Sequence, residues 1–496
     1  MKRVFLTILL TAAALGANAQ GALQQKVENI VKGSSVLKGA GVAVSVVDGK
    51  GRALVRYNDA QRMVPASNMK LITTGTALHA LGADFSFGTG LGYRGEIREG
   101  TLYGDVYLIG GGDPTLGTLD SIAVKADGLF WRWKTQLKAA GIQRIDGCII
   151  GDGRAFEGHL ENPSWEYDDT GTYYGAGCSA LSFYANAVDY DVSAGEKPGD
   201  AVRITQTYPE TPWMHFRSYA FTGPAGTGNS LYLYTTDLAP YAEMRGTFAT
   251  DRAPKTEHFA NKYGALTCAY YIRKNLRATC WEVSGGYADI DRGGYIRKAD
   301  FVPVEPAGNP VLIGTTRSPE LRRIARETNF RSDNFYAESI FRMMGEQASA
   351  TAVYDSARVA VYDVLRGLGL TPEQGLHMED GSGLSRRNYL SPRMMVDFLS
   401  AMTGSPAYGA FLASLPRPGE GTLKGLMSKA SPAVRDRIRV KSGSMDGVLC
   451  YSGYILTGDG KPVTVSLMTN SCTAKPSAVR EILLRILSLA AEQTAR

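Results

Sequence analysis

A chain of 496 residues is too long for one compact core, so two or three domains are expected. Its 44% hydrophobic and 21% charged residues are ordinary for a globular protein, and past the first twenty residues no apolar run reaches membrane-spanning length. The formal charge of +6, part of it from Lys2 and Arg3, is mild, and no basic cluster carries interleaved aromatics, which argues against a nucleic-acid partner.

Residues 1–19 read as a secretory signal: Lys2 and Arg3, an apolar run from Val4 to Leu15, then Ala17-Asn18-Ala19 as a small-residue cleavage site. No cysteine follows the cut, so a lipoprotein anchor is not indicated. The mature chain is expected to be exported, soluble and periplasmic. Gly41–Val47 and Arg52–Tyr57 around Asp48-Gly49-Lys50-Gly51 read as a hairpin. Pro65-Ala66-Ser67-Asn68-Met69-Lys70 then opens a helix-like run that ends with Leu81 at Gly82; Pro suits a helix start and Gly a helix stop. From about 85 to 310 the texture changes to short strands, glycine turns and aromatic-rich loops. A helix–turn–strand unit recurs there: Phe130–Ala140 followed by a strand to Ile150, and Ala265–Leu276 followed by Thr279–Val283. Trp165–Asp251 reads as all-β. Helices return at Pro319–Thr328, Asn334–Met344, Ala350–Leu368 and Pro392–Met402. The tail reads as two strands about Asp459 and a last helix near Ser477–Glu492.

Ser67 falls in the first turn of its helix, where free amides favour developing negative charge, and Lys70 shares its face three residues on. A serine is a weak nucleophile until an adjacent base takes its proton, which a lysine of lowered pKa can do. S-x-x-K also occurs at Ser35-Val36-Leu37-Lys38, so the pattern alone decides nothing. Two later motifs decide for Ser67. Ser332-Asp333-Asn334 supplies an S-x-N element, and Lys441-Ser442-Gly443 is the only K-[ST]-G in the chain, both in the order used by penicillin-recognising serine enzymes. Taken alone, Ser332 and Asn334 would read as helix caps.

Ser332 lies 265 positions after Ser67, more than a typical domain length. If both line one cleft, the chain must leave the catalytic domain and return. Residues 20–90 and 305–496 are therefore read as one α/β (α+β) catalytic domain, a largely antiparallel sheet flanked by helices. Residues 91–190 with 260–304 form an inserted domain, and 191–259 a second, β-rich insert. Six cysteines in an exported chain can pair; Cys450 and Cys472 flank the C-terminal hairpin and are the plausible bridge, with buried free thiols the alternative for all six.

The chain resembles the D-alanyl-D-alanine carboxypeptidase/endopeptidase family of low-molecular-mass class C penicillin-binding proteins. Beyond the three motifs, the resemblance rests on Gly110–Thr115, Gly151–Phe156, Pro163–Asp169, Tyr173–Ala176, Ser332–Glu338, Asp380–Arg386 and Gly421–Leu423. It implies a β-lactamase/transpeptidase-like fold with nested domains, and one departure is Ser442 where threonine is usual. It also implies roles: Ser67 as nucleophile, Lys70 as its base, and Lys441 as the cation that lowers the Lys70 pKa and grips a substrate carboxylate with Ser442 and Gly443. Ser332 would relay a proton, Asn334 would bind the substrate backbone, and the N–H groups of Ser67 and Ser444 would hold the oxyanion. Asp152 and Arg386 would meet the side chain of the stem peptide, an amino acid such as diaminopimelate. The implied partners are peptidoglycan peptides and β-lactam antibiotics. A β-lactamase or esterase on the same fold, or a non-catalytic wall-binding protein, would share these motifs.

Other patterns carry no site. Gly90-Leu91-Gly92-Tyr93-Arg94-Gly95 fits G-x-G-x-x-G without a βαβ unit, and Glu305–Asn309 reads as a loop. The histidines at 79, 159, 215, 258 and 377 have no ligand-like spacing, so no metal or other cofactor is required.

Overall fold

The structure is a computed structural model and describes residues 21–290, 296–298, 303–304, 309–349 and 352–494. The leader read over 1–19, and residues 305–308 of the Glu305–Asn309 segment, lie outside the described residues. The chain divides into two compact units: the described parts of Met1–Ala83, Ala325–Asp333 and Val361–Arg496 form one, and those of Asp84–Ile324 and Asn334–Ala360 the other.

The first unit is built on a five-stranded sheet in the order Ala53–Tyr57, Gly41–Val47, Val463–Asn470, Val448–Ile455, Ile438–Met445, with every pairing antiparallel. The opening hairpin is turned by Asp48, whose carboxylate accepts from the N–H groups of Lys50 and Arg52 at 2.9 Å each. Helix 21–32 and helix Pro476–Gln493 pack on one face, with Leu23, Val27, Leu483 and Ile486 against Val44, Val440, Val465 and Leu467. Side chains alternate along a strand, so Lys441 and Gly443 turn away from Val440 to the opposite face. In register there, Lys441 pairs with Ser452, and Ser452 with Ser466. Val448–Ile455 is buried along its whole length, which explains its nearly continuous apolar sequence. The strand carrying Lys441 is the sheet edge.

The second unit holds a mixed sheet that includes Gly88–Arg98, Thr101–Ile109, Ile149–Asp152, Tyr287–Ile290 and Val311–Arg317. The G-x-G-x-x-G segment is a strand of this sheet, antiparallel to Thr101–Ile109. The recurring helix–strand unit is present: helices Ala126–Ala139 and Gly264–Ala278 share one core, and the strands after them, Ile149–Asp152 and Tyr287–Ile290, pair in parallel. The second strand lies later than the sequence reading places it; Val283 makes only an isolated bridge to Ile145. Between 187 and 260 come small sheets without an α-helix.

The six cysteines are free thiols, which corrects the expected Cys450–Cys472 bridge. Cys450 sits in mid-ladder opposite Met468, with its thiol 3.8 Å from the Val64 carbonyl. Cys472 lies past the strand end, where its N–H donates to Gly447. Flanking one hairpin brings the two thiols near enough for Cys472 to act electrostatically on Cys450, yet no bond joins them.

Candidate active site

Ser67 sits in a 3-10 turn, Ala66–Asn68, that runs straight into the helix Met69–Leu81. Ala66 is held at φ 46, an uncommon conformation for a residue with a side chain, so the turn is fixed by its surroundings. Lys70, one helical turn on, is fully buried, and its Nζ is hydrogen-bonded to Ser67 Oγ at 3.0 Å. The same amine donates to the Ser382 carbonyl at 2.7 Å. That carbonyl belongs to a loop pinned from below: the Asp380 carboxylate accepts from the N–H groups of Gly383 and Ser385 and from Asn388 Nδ2 at 2.6–2.8 Å. Thr73 of the Ser67 helix donates to Gly381 at 2.7 Å.

The second lysine arrives on the edge strand. Lys441 Nζ donates to Ser332 Oγ at 2.9 Å and to the Ser442 carbonyl at 2.6 Å. Ser332 follows the helix Leu321–Arg331 at φ 61, a left-handed position that turns its hydroxyl out of the helical path. Burial pushes the Lys441 pKa well below the usual lysine range, and the positive charge of Lys70 pushes it further the same way.

Gly443 carries the close approach between strand and turn. A Cβ at that position would stand 2.7 Å from the Pro65 carbonyl oxygen, 2.9 Å from the Asn68 nitrogen and 3.1 Å from the Ser67 nitrogen. Only a hydrogen fits, and this brings the backbone leading to Ser444 alongside the Ser67 N–H. Ser442 Oγ donates to Thr422 Oγ1 at 2.9 Å. Beneath the turn, Asn68 Nδ2 donates to Ser452 Oγ at 2.8 Å.

Ser67, Lys70, Ser332, Lys441, Ser442, Gly443, Ser444 and Arg386 thus belong to one unit, where Arg386 donates to the Asp446 carbonyl at 3.2 Å. Asn334 and Asp152 belong to the other. Asn334 opens the helix Asn334–Ser349, and its amide donates to the Tyr174 carbonyl at 3.1 Å. Asp152 ends its strand, with its carboxylate paired to Arg154 at 2.7 Å. The competing S-x-x-K copy lies in a surface turn with Ser35 and Lys38 exposed. Sequence reasoning missed the Ser382 carbonyl and the Thr422 hydroxyl, although both lie in stretches that carry the family resemblance. Among the described residues no group of three or more His, Cys, Asp or Glu could hold a metal.

The D-alanyl-D-alanine carboxypeptidase of Actinomadura sp. (strain R39) is 30% identical, over 98% of this chain and 89% of that protein. D-alanyl-D-alanine carboxypeptidase DacB of Haemophilus influenzae is 24% identical, over 82% and 80%. The crystal structure of penicillin binding protein 4 (dacB) from Haemophilus influenzae shares the fold, with a TM-score of 0.79 at 22% identity over 94% of this chain and 98% of that one. The profile of the D-Ala-D-Ala carboxypeptidase 3 (S13) family matches residues 23–492, and this chain belongs to that family.

Proposed function

We propose that the chain is a serine D-Ala-D-Ala carboxypeptidase, with endopeptidase action on cross-links, that works through an ester on Ser67 and is acylated by penicillins. The observation that carries the reading is the pair of amines: one 3.0 Å from the Ser67 hydroxyl, the other on Ser332, within repelling reach of each other. Two buried lysines in like-charge contact hold a second proton poorly, so one amine is free to accept one, and the pKa belongs to the pair. The 3.0 Å contact with Ser67 Oγ supports Lys70 as that amine.

Lys70 takes the Ser67 proton as Oγ attacks the carbonyl carbon of the penultimate D-Ala. The N–H groups of Ser67 and Ser444 receive the oxyanion. On collapse the C–N bond breaks, and the departing D-Ala nitrogen takes a proton relayed through Ser332 from the lysine pair. Lys441, Ser442 and Thr422 hold the terminal carboxylate, and Asn334 offers its amide to the substrate backbone. Water, deprotonated by Lys70, then hydrolyses the ester and Ser67 recovers its proton. Asp152 and Arg386 are proposed for the stem side chain. The edge strand suits an extended peptide, which gains backbone hydrogen bonds by lying along it.

The activity is borne by the names of the Actinomadura and Haemophilus relatives, and penicillin binding protein 4 of Haemophilus has been solved with a β-lactam. Peptidoglycan lies outside the cytoplasmic membrane, which fits the leader at 1–19. No described helix is long and apolar enough to cross a membrane. Intact-mass measurement after penicillin treatment tests the reading. The leaving group of a β-lactam stays tethered, so the full mass of the drug should add to the parent and nothing to Ser67→Ala; an adduct on Ser67→Ala would end the proposal. Rapid loss of the adduct with turnover of penicillin would instead mark a β-lactamase.

A further inference from the structure

A second surface, in the unit that holds Asn334, has the chemistry of a polysaccharide platform. The strands Tyr232–Thr235, Tyr241–Arg245 and His215–Ser218 form a three-stranded sheet. Its inner face, Leu233, Ala242 and Met244, is core. Alternation sends Tyr232, Tyr234, Tyr241, Glu243, Arg245 and Arg217 to the outer face, where Tyr234, Glu243 and Arg217 stand in one row across the ladder. From a neighbouring loop Tyr167, 75% exposed, lays its ring on Tyr234 at 5.3 Å and 26°.

The rings are held in place. Tyr232 meets Tyr234 edge-on at 4.9 Å, Arg245 lies over Tyr234 at 5.6 Å, and Arg217 lies over Tyr241 at 5.9 Å. Glu243 accepts from Tyr241 Oη at 2.9 Å and from Arg245 Nε at 2.5 Å. Fixed aromatic faces beside an arginine–carboxylate pair match a sugar, which offers a flat C–H face to a ring and vicinal hydroxyls to a fork of donors and acceptors. The carboxylate among the arginines disfavours a phosphate polymer, which wants an unbroken positive track.

This surface continues into the segment proposed to bind substrate. Gly171 packs directly on the strand, a Cβ there falling 1.5 Å from the Leu233 carbonyl oxygen, and three residues later the Tyr174 carbonyl receives the Asn334 amide. We infer that the Tyr167–Tyr234 face binds the glycan strand from which the stem peptide hangs. The identity of the glycan rests on the proposed peptidoglycan substrate; the geometry of the face does not.

The test uses the full mature chain and glycan strands freed of their peptides by an amidase, with binding followed by calorimetry. The parent should bind, and Tyr167→Ala and Tyr234→Ala should each weaken binding about tenfold, while Tyr234→Phe keeps it. Penicillin acylation should be unchanged in all three, and each should still unfold in one cooperative transition, with the melting temperature of Tyr234→Phe closest to that of the parent. Equal binding by parent and alanine variants, no binding by the parent, or preference for a phosphate-bearing wall polymer would overturn the inference. A parent that binds glycan but is never acylated would strike the proposed activity and leave the platform standing.

Discussion

Lys441 Nζ donates to Ser332 Oγ at 2.9 Å across 109 residues of chain. The bond joins an edge strand to the residue after a helix, and Ser332 must adopt φ 61 to make it.

Ser332→Ala removes the relay hydroxyl and leaves both lysines. Loss of one proton-transfer group should slow acylation by about 10²–10⁴. The lost neutral hydrogen bond should lower stability by only about 1 kcal/mol. Stopped-flow kinetics with a fluorescent penicillin and urea denaturation measure the two; an unchanged acylation rate would remove Ser332 from the mechanism.

The lowered pKa of Lys441 sets the sign of the pH dependence. Burial and the neighbouring charge favour the neutral amine, so the lysine pair should lose its first proton well below the ordinary 10.5. Acylation should accordingly rise with pH through that lowered value. Lys441→Met deletes the like charge beside Lys70, so Lys70 should hold its proton to higher pH. Its residual acylation profile should shift upward relative to the parent. A downward shift, or none, would contradict the coupling.

Gly443→Ala tests the close approach. A methyl between the strand and the Pro65–Asn68 backbone must push the strand outward and take the Ser444 N–H out of line. The loss of one oxyanion donor typically costs about 10²–10³ in rate, and overpacking about 1–3 kcal/mol. Full acylation activity in this variant would show that the strand can move without harm.

In the second unit, Lys262 is a fully buried cation. It pairs with Glu161 at 2.6 Å and donates to the carbonyls of Thr170, Gly175 and Ala176 at 2.5, 3.2 and 3.2 Å. It ties down the loop that carries Tyr167 and Tyr174. Lys262→Met strands the Glu161 carboxylate and three carbonyls, so stability should fall by about 3–5 kcal/mol. A denaturation midpoint equal to that of the parent would show that the loop holds without it.

Thiol labelling checks the cysteines. Cys280 is exposed and should react first under native conditions. Burial pushes the Cys178 and Cys450 thiols up to about 12, so both should resist until the chain unfolds. A mass two daltons short of six free thiols, restored by reductant, would mean that a bridge forms.

The lettering of this chain exposes its chemistry better than its supports. Ser67, Lys70, Ser332 and Lys441 are legible because three short motifs occur in order, and the helix stop at Gly82 because only glycine relieves that turn. Ser382 is illegible as a partner of Lys70, since a backbone carbonyl has no side-chain signature. The strand Tyr287–Ile290 escapes notice because it is short and carries Asp289, whereas Trp281 and Val283 look more strand-like yet make only an isolated bridge. The Cys450–Cys472 expectation fails although the two thiols are neighbours, because proximity at a hairpin does not by itself supply the geometry a disulfide needs.

One consequence of the paired lysines concerns ligand discovery. A cleft that keeps two lysine amines from water holds the pair's second proton poorly when no anion lies between them. A bound carboxylate relieves that tension as well as adding its own contacts, so acidic ligands should raise the melting temperature more than neutral analogues of equal affinity for the rest of the cleft. A thermal-shift screen on this protein would therefore favour acids, including ones that never react with the serine.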